Sequence, residues 1–406
     1  MEAARQARED LGRLEGLDGL RGLAAATVAL YHAQWLFAPG SLASAPPPLR
    51  WLQDWGWTLV DLFFLISGFI FAHVYLADER TTARALRDFA VARFARLYPL
   101  HLVMLLVCAA MLGREPDNTG AAFLAHVFMA QAWVAPAGHT FDGPSWSISI
   151  ELVCYLLFAV GAVWRRALPW ICVGSVTLCL LYFVRFGGGG GPWSDELLQR
   201  GLLGFFLGQL LWQARARLRR IPTGMLVTAC VVSPLMVGGS VSPILPLDLL
   251  CFPAALLLAL RLPLLRSRPL LWLGARSYAV YLVHFPVVEL IRTAGPLPGG
   301  TPSLLIGFAA FSRLSSSLPT KPTGGSKCRR GVGSAAPSRR PSDQANPRPP
   351  PPAETPHIGV ILDRVRCDPR SRPYWSLASW PILRSVRERG RALASPARSP
   401  VRKGPA

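Results

Sequence analysis

The sequence predicts an all-α polytopic membrane protein, and three observations carry that prediction. Of the 406 residues, 51% are hydrophobic and only 16% charged. With a mean hydropathy of +0.32, that balance suits a chain built to lie in lipid. The apolar residues collect into successive runs approaching the roughly 20 residues that a helix needs to cross a bilayer. Basic residues collect between alternate runs, the pattern of cytoplasmic loops.

The net charge of +20 is unevenly placed. Residues 312–406 hold 19 Lys and Arg against 5 Asp and Glu, leaving 24 against 18 for everything before them. The basicity is therefore mostly a property of the tail, and it implies no nucleic-acid partner. Cys108, Cys154, Cys172, Cys179, Cys230 and Cys251 sit within or beside apolar runs, with no CxxC spacing. They read as small core hydrophobes, and neither a disulfide scaffold nor a metal site is indicated.

Taken in order, Met1–Gly16 is polar, carries Arg5, Arg8 and Arg13, and is expected to be a cytoplasmic N-terminal segment. The first span is Asp18–Phe37. Ala43-Ser44-Ala45 resembles a signal-peptidase site, but the polar leader ahead of the apolar run is long for a signal peptide. Gly56–Ala77 is the second span. The loop after it, with Arg80, Arg84, Arg87, Arg93 and Arg96, is the most basic in the apolar part and is expected inside. Tyr98–Leu112 is a short third span.

Gly120–Val134 is apolar but too short to cross comfortably. If it crossed, Arg165-Arg166 and the cluster Arg215–Arg220 would face outward, so a re-entrant or interfacial segment is expected, with loop 113–144 outside. Spans then follow at Ser145–Trp164, Leu168–Phe186, Leu197–Ala214, Met225–Gly239, Leu245–Leu260 and Ser277–Ile291. Ser303–Phe311 begins a return helix that stops at half length. About ten transmembrane helices are expected, the tenth truncated, with a cytoplasmic N-terminus and a multi-pass domain over 17–311. Residues 312–406 are rich in Pro, Arg and Ser and are expected to be a disordered basic tail, solvated or resting on anionic headgroups. An altered reading frame would also explain them.

The first span carries an arginine near its start, Arg21, and a histidine near its end, His32. Eleven helical steps of about 100° bring them within about 20° of one another, roughly 16 Å apart along the axis. Charge-bearing residues within a span are costly and are usually functional or turned to a polar interior. A neutral imidazole can take a proton from a hydroxyl near neutral pH, which makes His32 a candidate base. Arg21 suits phosphate or carboxylate, or else snorkels beside Asp18. Glu151 is expected at the depth of His32. It either orients that imidazole or is held by the Ser147 or Ser149 hydroxyls. Arg93 and Arg96 are one turn apart and form a fork for a phosphorylated ligand, unless they are only positive-inside anchors. Ser67-Gly68 reads as close helix approach or polar lining, since no base adjoins Ser67. His284, just ahead of Pro286, reads as cavity lining.

Together these motifs resemble the acyltransferase 3 family. They are Leu17-Asp18-Gly19-Leu20-Arg21-Gly22 with His32 eleven residues after the arginine, Phe63-Phe64-Leu65-Ile66-Ser67-Gly68-Phe69, Arg93-Phe94-Ala95-Arg96-Leu97-Tyr98-Pro99, Ser145-Trp146-Ser147 with Glu151, and Ser277-Tyr278 through His284-Phe285-Pro286. The resemblance covers roughly 14–311. It implies a multi-pass enzyme of the bacterial inner membrane that moves an acetyl or other short acyl group from cytoplasmic acyl-CoA, a co-substrate rather than a bound cofactor. The acceptor implied is a hydroxyl of a cell-envelope glycan or of a secondary metabolite. Arg21 and His32 match the family's essential pair, and Arg93 and Arg96 its donor-side arginines. The sequence departs from the family where the tenth helix stops after Phe311. An inactive truncated copy therefore stays open, as does a transporter or export partner for a glycan or lipid, which would share the intramembrane charges.

Overall fold

A computed structural model describes residues 2–36, 45–76, 83–134, 137–188, 191, 196–237 and 242–293. Its compact units are Met1–Gly325 and Ser326–Ala406, and all described residues lie in the first. The expectations for Ser303–Phe311 and for 312–406 fall outside the described residues.

Every regular element among the described residues is helical. The helices are α1 (Glu2–Ala33), α2 (Pro47–Trp55), α3 (Leu59–Tyr75), α4 (Ala83–Leu112), α5 (Gly120–Val127), α6 (Trp146–Val163), α7 (Leu168–Phe186), α8 (Leu197–Gln213), α9 (Arg215–Leu218), α10 (Thr223–Val232), α11 (Phe252–Ala259) and α12 (Arg268–Arg292). A helix satisfies its own backbone, which suits a chain that meets lipid. Among the described residues four stretches are long and apolar enough to cross a membrane: Pro47–Tyr75, Arg87–Leu112, Gly143–Val163 and Leu168–Phe186. The α7 face bearing Trp170, Leu178, Leu181 and Phe186 is exposed and apolar.

Several boundaries differ from those expected. The polar leader does not stop short of the first span, because α1 runs unbroken from Glu2. The basic stretch after α3 is not all loop. Helix α4 begins at Ala83, and Arg87, Arg93 and Arg96 are helical. Arginine is a good helix former, so charge there marked polarity and not irregular backbone. Expected spans 225–239 and 245–260 become shorter apolar helices, Thr223–Leu235 and Leu247–Ala259, the latter opening in a π turn over Leu247–Cys251.

Constant residue offsets give the helix directions. Asp61 meets Arg200 and His73 meets Trp212, both 139 apart, so α3 and α8 are parallel. Ser67 meets Glu151, 84 apart, and Phe71 stacks on Tyr155 at the same offset, so α6 is parallel to both. His32 meets His284, 252 apart, and Gly22 packs on Gly274 at that offset, so α1 and α12 run together. The Tyr278 hydroxyl reaches the Leu97 carbonyl, while Leu105 and Phe285 share a core further along, which puts α4 parallel to α12. Tyr31 lies on Gly56 ahead of α3, while Leu17 and Leu20 share a core with Leu65, Ile66 and Phe69, so α1 runs against α3. Because α3 and α6 are parallel with α4 between them, the chain from Gly113 to Ser145 returns to the end where α4 left it. The eight residues of α5 rise only about 12 Å, too little to cross.

Small residues let the backbones touch. A side chain at Gly68 would collide with the Phe205 carbonyl of α8, and one at Gly22 with the backbone of Gly274. Where lipid removes the hydrophobic drive between helices, such van der Waals contact is a main source of association. Gly68→Val should therefore destabilise the purified protein by about 1–3 kcal/mol or more through overpacking. Gly174→Val on α7, where nothing lies within 4 Å, should leave it unchanged. Thermal unfolding in detergent checks both, and equal melting of the two variants would contradict the packing.

Candidate active site

The α1 stripe does bring Arg21 and His32 to one side of the helix, but they open on two different cavities. The larger, about 100 Å³, is lined by Arg21, Ser67, Arg93, Arg96, Glu151 and Tyr155 among others. The smaller, about 20 Å³, is lined by His32, Trp57, Val60, Pro144, Trp146, Arg200 and Tyr281. Val60 and Tyr281 line both and form the wall between them.

In the larger cavity three guanidinium-bearing residues face one carboxylate. Arg21 keeps Asp18 at 3.7 Å, one turn back. Arg93 lies over the Phe71 ring, 5.1 Å from its centroid, with an Nη2 bond of 3.4 Å to the Tyr75 hydroxyl. Arg96 follows one turn later on the same face of α4. Glu151 accepts hydrogen bonds from Ser67 Oγ at 3.1 Å and from the Tyr155 hydroxyl. Glu151 is thus held by hydroxyls, but by Ser67 of α3 and Tyr155 of its own next turn, not by Ser147 or Ser149. Ser147 instead donates to the Tyr281 hydroxyl at 3.0 Å.

His32 is oriented by another residue than Glu151. Its Nδ1 lies 2.9 Å from the Val28 carbonyl and 3.1 Å from His284 Nε2. A carbonyl only accepts, so Nδ1 of His32 carries the proton, His284 Nε2 faces it as an acceptor, and the lone pair of His32 falls on Nε2. Trp35 and Tyr31 stand edge-on to the ring, each with its centroid 4.8 Å away. His284, expected to line a cavity, lines neither and backs His32. The parallel run of α1 and α12 is what makes it the partner.

The rim is set by the loop ahead of α6. The His126 Nε2–H reaches the Ala137 carbonyl and Thr140 Oγ1, both at 3.1 Å, and Gln131 donates to the Ser145 carbonyl at 2.8 Å. Burial pushes the His126 imidazole down to about 4, so it stays neutral at neutral pH. Burial also drives the Asp142 carboxyl well above the usual range, with neither oxygen hydrogen-bonded. The ordered loop offers the Pro144 carbonyl to the Tyr281 hydroxyl at 2.6 Å, fixing the wall between the cavities.

Sequence reasoning passed over Arg200, Asp61 and Asp248. Arg200 Nε donates to both Asp61 oxygens, at 3.0 and 3.2 Å, and both residues are 1% exposed. Its guanidinium lies between Trp57 and Trp146, 4.5 and 5.1 Å from their centroids. Asp248, in the π turn, is buried and interacts electrostatically with that pair. The signal was present, since each is a charge inside an apolar run. Among the described residues no group of His, Cys, Asp and Glu is placed to hold a metal ion.

One measurement checks the tautomer on which this geometry turns. In ¹⁵N-histidine spectra of the purified protein, the signal lost on His32→Gln should show a protonated Nδ1 and a pyridine-like Nε2. The opposite pattern would contradict the Val28 bond.

The chain matches the acyltransferase 3 family model, described as an acyltransferase domain, over residues 14–318. It is 29% identical over 323 residues to the acyltransferase MdmB of Streptomyces mycarofaciens, covering 68% of this chain and 79% of that protein. To the O-acetyltransferase OatA of Staphylococcus aureus it is 25% identical over 338 residues, 69% of this chain and 51% of that one. To YrhL of Bacillus subtilis it is 27% identical over 328 residues, 68% and 49%. It thus spans about half the length of two of these relatives. No solved structure matches it.

Proposed function

The chain belongs to the acyltransferase 3 family, and from that premise we propose that it transfers an acetyl or other short acyl group from acyl-CoA to a hydroxyl. The acceptor is a cell-envelope glycan or a secondary metabolite. The observation that carries this reading is the His32 ring, with its proton fixed on Nδ1 by Val28 and its Nε2 lone pair left for a hydroxyl. The similarity to an O-acetyltransferase favours an oxygen acceptor and an acetyl group.

The protein lies in the bacterial inner membrane as a multi-pass chain of about ten helices with its N-terminus in the cytoplasm. Two opposed helix sets support this topology, α1, α4 and α12 in one direction and α3, α6 and α8 in the other. Arg21 then sits toward the cytoplasm and His32 toward the outside.

Arg93, Arg96 and Arg21 hold the phosphate-bearing end of the donor, which an always-charged guanidinium fork suits. The thioester arm passes the wall at Val60 and Tyr281 and reaches the His32 cavity. His32 Nε2 takes the hydroxyl proton and the acceptor oxygen attacks the thioester carbonyl carbon. Collapse of the tetrahedral intermediate expels the thiolate, which takes the proton back from Nε2. An ester and a free thiol result. His284 and the Val28 carbonyl hold the ring and spread the charge that it gains.

The test is full-length protein in proteoliposomes with radiolabelled acetyl-CoA and glycan extracts, scored for ester. His32→Ala should remove transfer while insertion persists. The double variant Arg93→Ala, Arg96→Ala should raise the donor KM at least tenfold, and unchanged donor affinity would remove the arginines from the donor site. Intact protein that moves glycan or lipid across the bilayer without forming ester would favour the transporter reading.

A further inference from the structure

The geometry points to Arg200 as a catalytic residue, the group that stabilises the oxyanion formed when the acyl carbonyl is attacked beside His32. This rests on the transfer reading above and adds the electrostatic half of the site to its base.

Arg200 is 1% exposed, and neither its Nη1 nor its Nη2 has a hydrogen-bond partner. Leaving a buried donor unpaired is expensive, and a guanidinium more so than an amide. The group is nonetheless held in place. Nε is bonded to Asp61, Nη2 lies 3.0 Å from the same carboxylate, and Trp57 and Trp146 bracket the plane. A side chain so held, with its Nη–H groups left without hydrogen-bond partners, is preorganised, and it lines the same cavity as His32. Preorganised donors aimed at developing charge in a dry site are commonly the largest single contribution to catalysis.

Size narrows the ligand. A cavity of about 20 Å³ holds one water molecule or one ligand oxygen in its place, so the acyl carbonyl and the acceptor hydroxyl meet there only once it widens. In the reaction the hydroxyl proton goes to His32 Nε2 and the carbonyl π pair moves onto oxygen as the C–O bond forms. An Arg200 Nη–H donates to that oxyanion until the C–S bond breaks and the carbonyl returns. The competing use of Arg200 is to neutralise Asp61 and hold α3 to α8.

Two variants separate these uses. Arg200→Lys keeps the charge beside Asp61 but loses the planar fork. Asp61→Asn with Arg200→Gln removes both charges of the pair together, so that neither is left without the other. In reconstituted full-length protein that melts like the wild type, either variant should lower kcat about 10²–10³-fold with donor KM changed less than about twofold. Wild-type kcat in either variant overturns the assignment, and so does a loss seen only in KM. His32→Gln run alongside keeps the two ideas apart. Transfer that survives His32→Gln removes the base, whereas transfer that survives Arg200→Lys removes the oxyanion role alone. A wild type that forms no ester overturns both.

Discussion

The close approach of α1 and α12 is the constraint on which the site depends. Gly22 and Gly274 bring the two backbones into contact. Ten residues later on each helix, about 15 Å along, stand His32 and His284, 3.1 Å apart. Parallel helices in fixed register carry a contact made at one level to every later level. A side chain at the glycine level would push the helices apart and open the histidine pair. Glycine costs helix stability, about 1 kcal/mol each relative to alanine. Here that cost is offset by a distance that no loop would hold.

Helices α3 and α8 repeat the device with charge added. Gly68 and Gly208 give close packing, and the Asp61–Arg200 pair lies at the level of the His32 cavity. A buried ion pair is weak evidence for stability, because desolvation consumes much of the Coulombic gain. Breaking it from one side is another matter, costing about 3–5 kcal/mol. The glycine contacts already join α3 to α8. The pair therefore fixes where a guanidinium stands more than whether the helices meet.

Much of this was legible in the sequence, for reasons that particular residues make plain. Arg21 and His32 were placed on one stripe because helical periodicity is local. The non-crossing 120–134 segment followed from its length and from the later arginine clusters, and the parallel run of α3 and α6 agrees with it. What failed was partnership across helices. Glu151 and His32 were matched by depth, yet depth says nothing about which faces meet. The Ser67 and Tyr155 hydroxyls claim Glu151 instead. His284 was read by its own helix alone, whereas its role comes from a register 252 residues long. Arg200 was missed because a lone arginine near the start of a span reads as an anchor, and its partner lies 139 residues earlier. The α4 boundary failed for a simpler reason, in that charge was taken for loop.

The division into two cavities bears on how such a site avoids waste. A base beside an activated acyl group would serve water as readily as an alcohol. His32 is 5% exposed, Arg200 1%, and their shared cavity has room for about one water molecule. Tyr281 and Val60 close it from the larger, arginine-lined side, with the Tyr281 hydroxyl anchored on Pro144. The arginine-lined cavity and the His32 ring are thus kept apart, and charge interactions around His32 act in a space nearly free of water, where they are strong. Joining the two cavities would require Tyr281 to yield its bond to the Pro144 carbonyl. The loop that holds Pro144 is the same one that His126 and Gln131 fix from the far end of α4. Passage between the two cavities is in this way tied to the segment between α4 and α6.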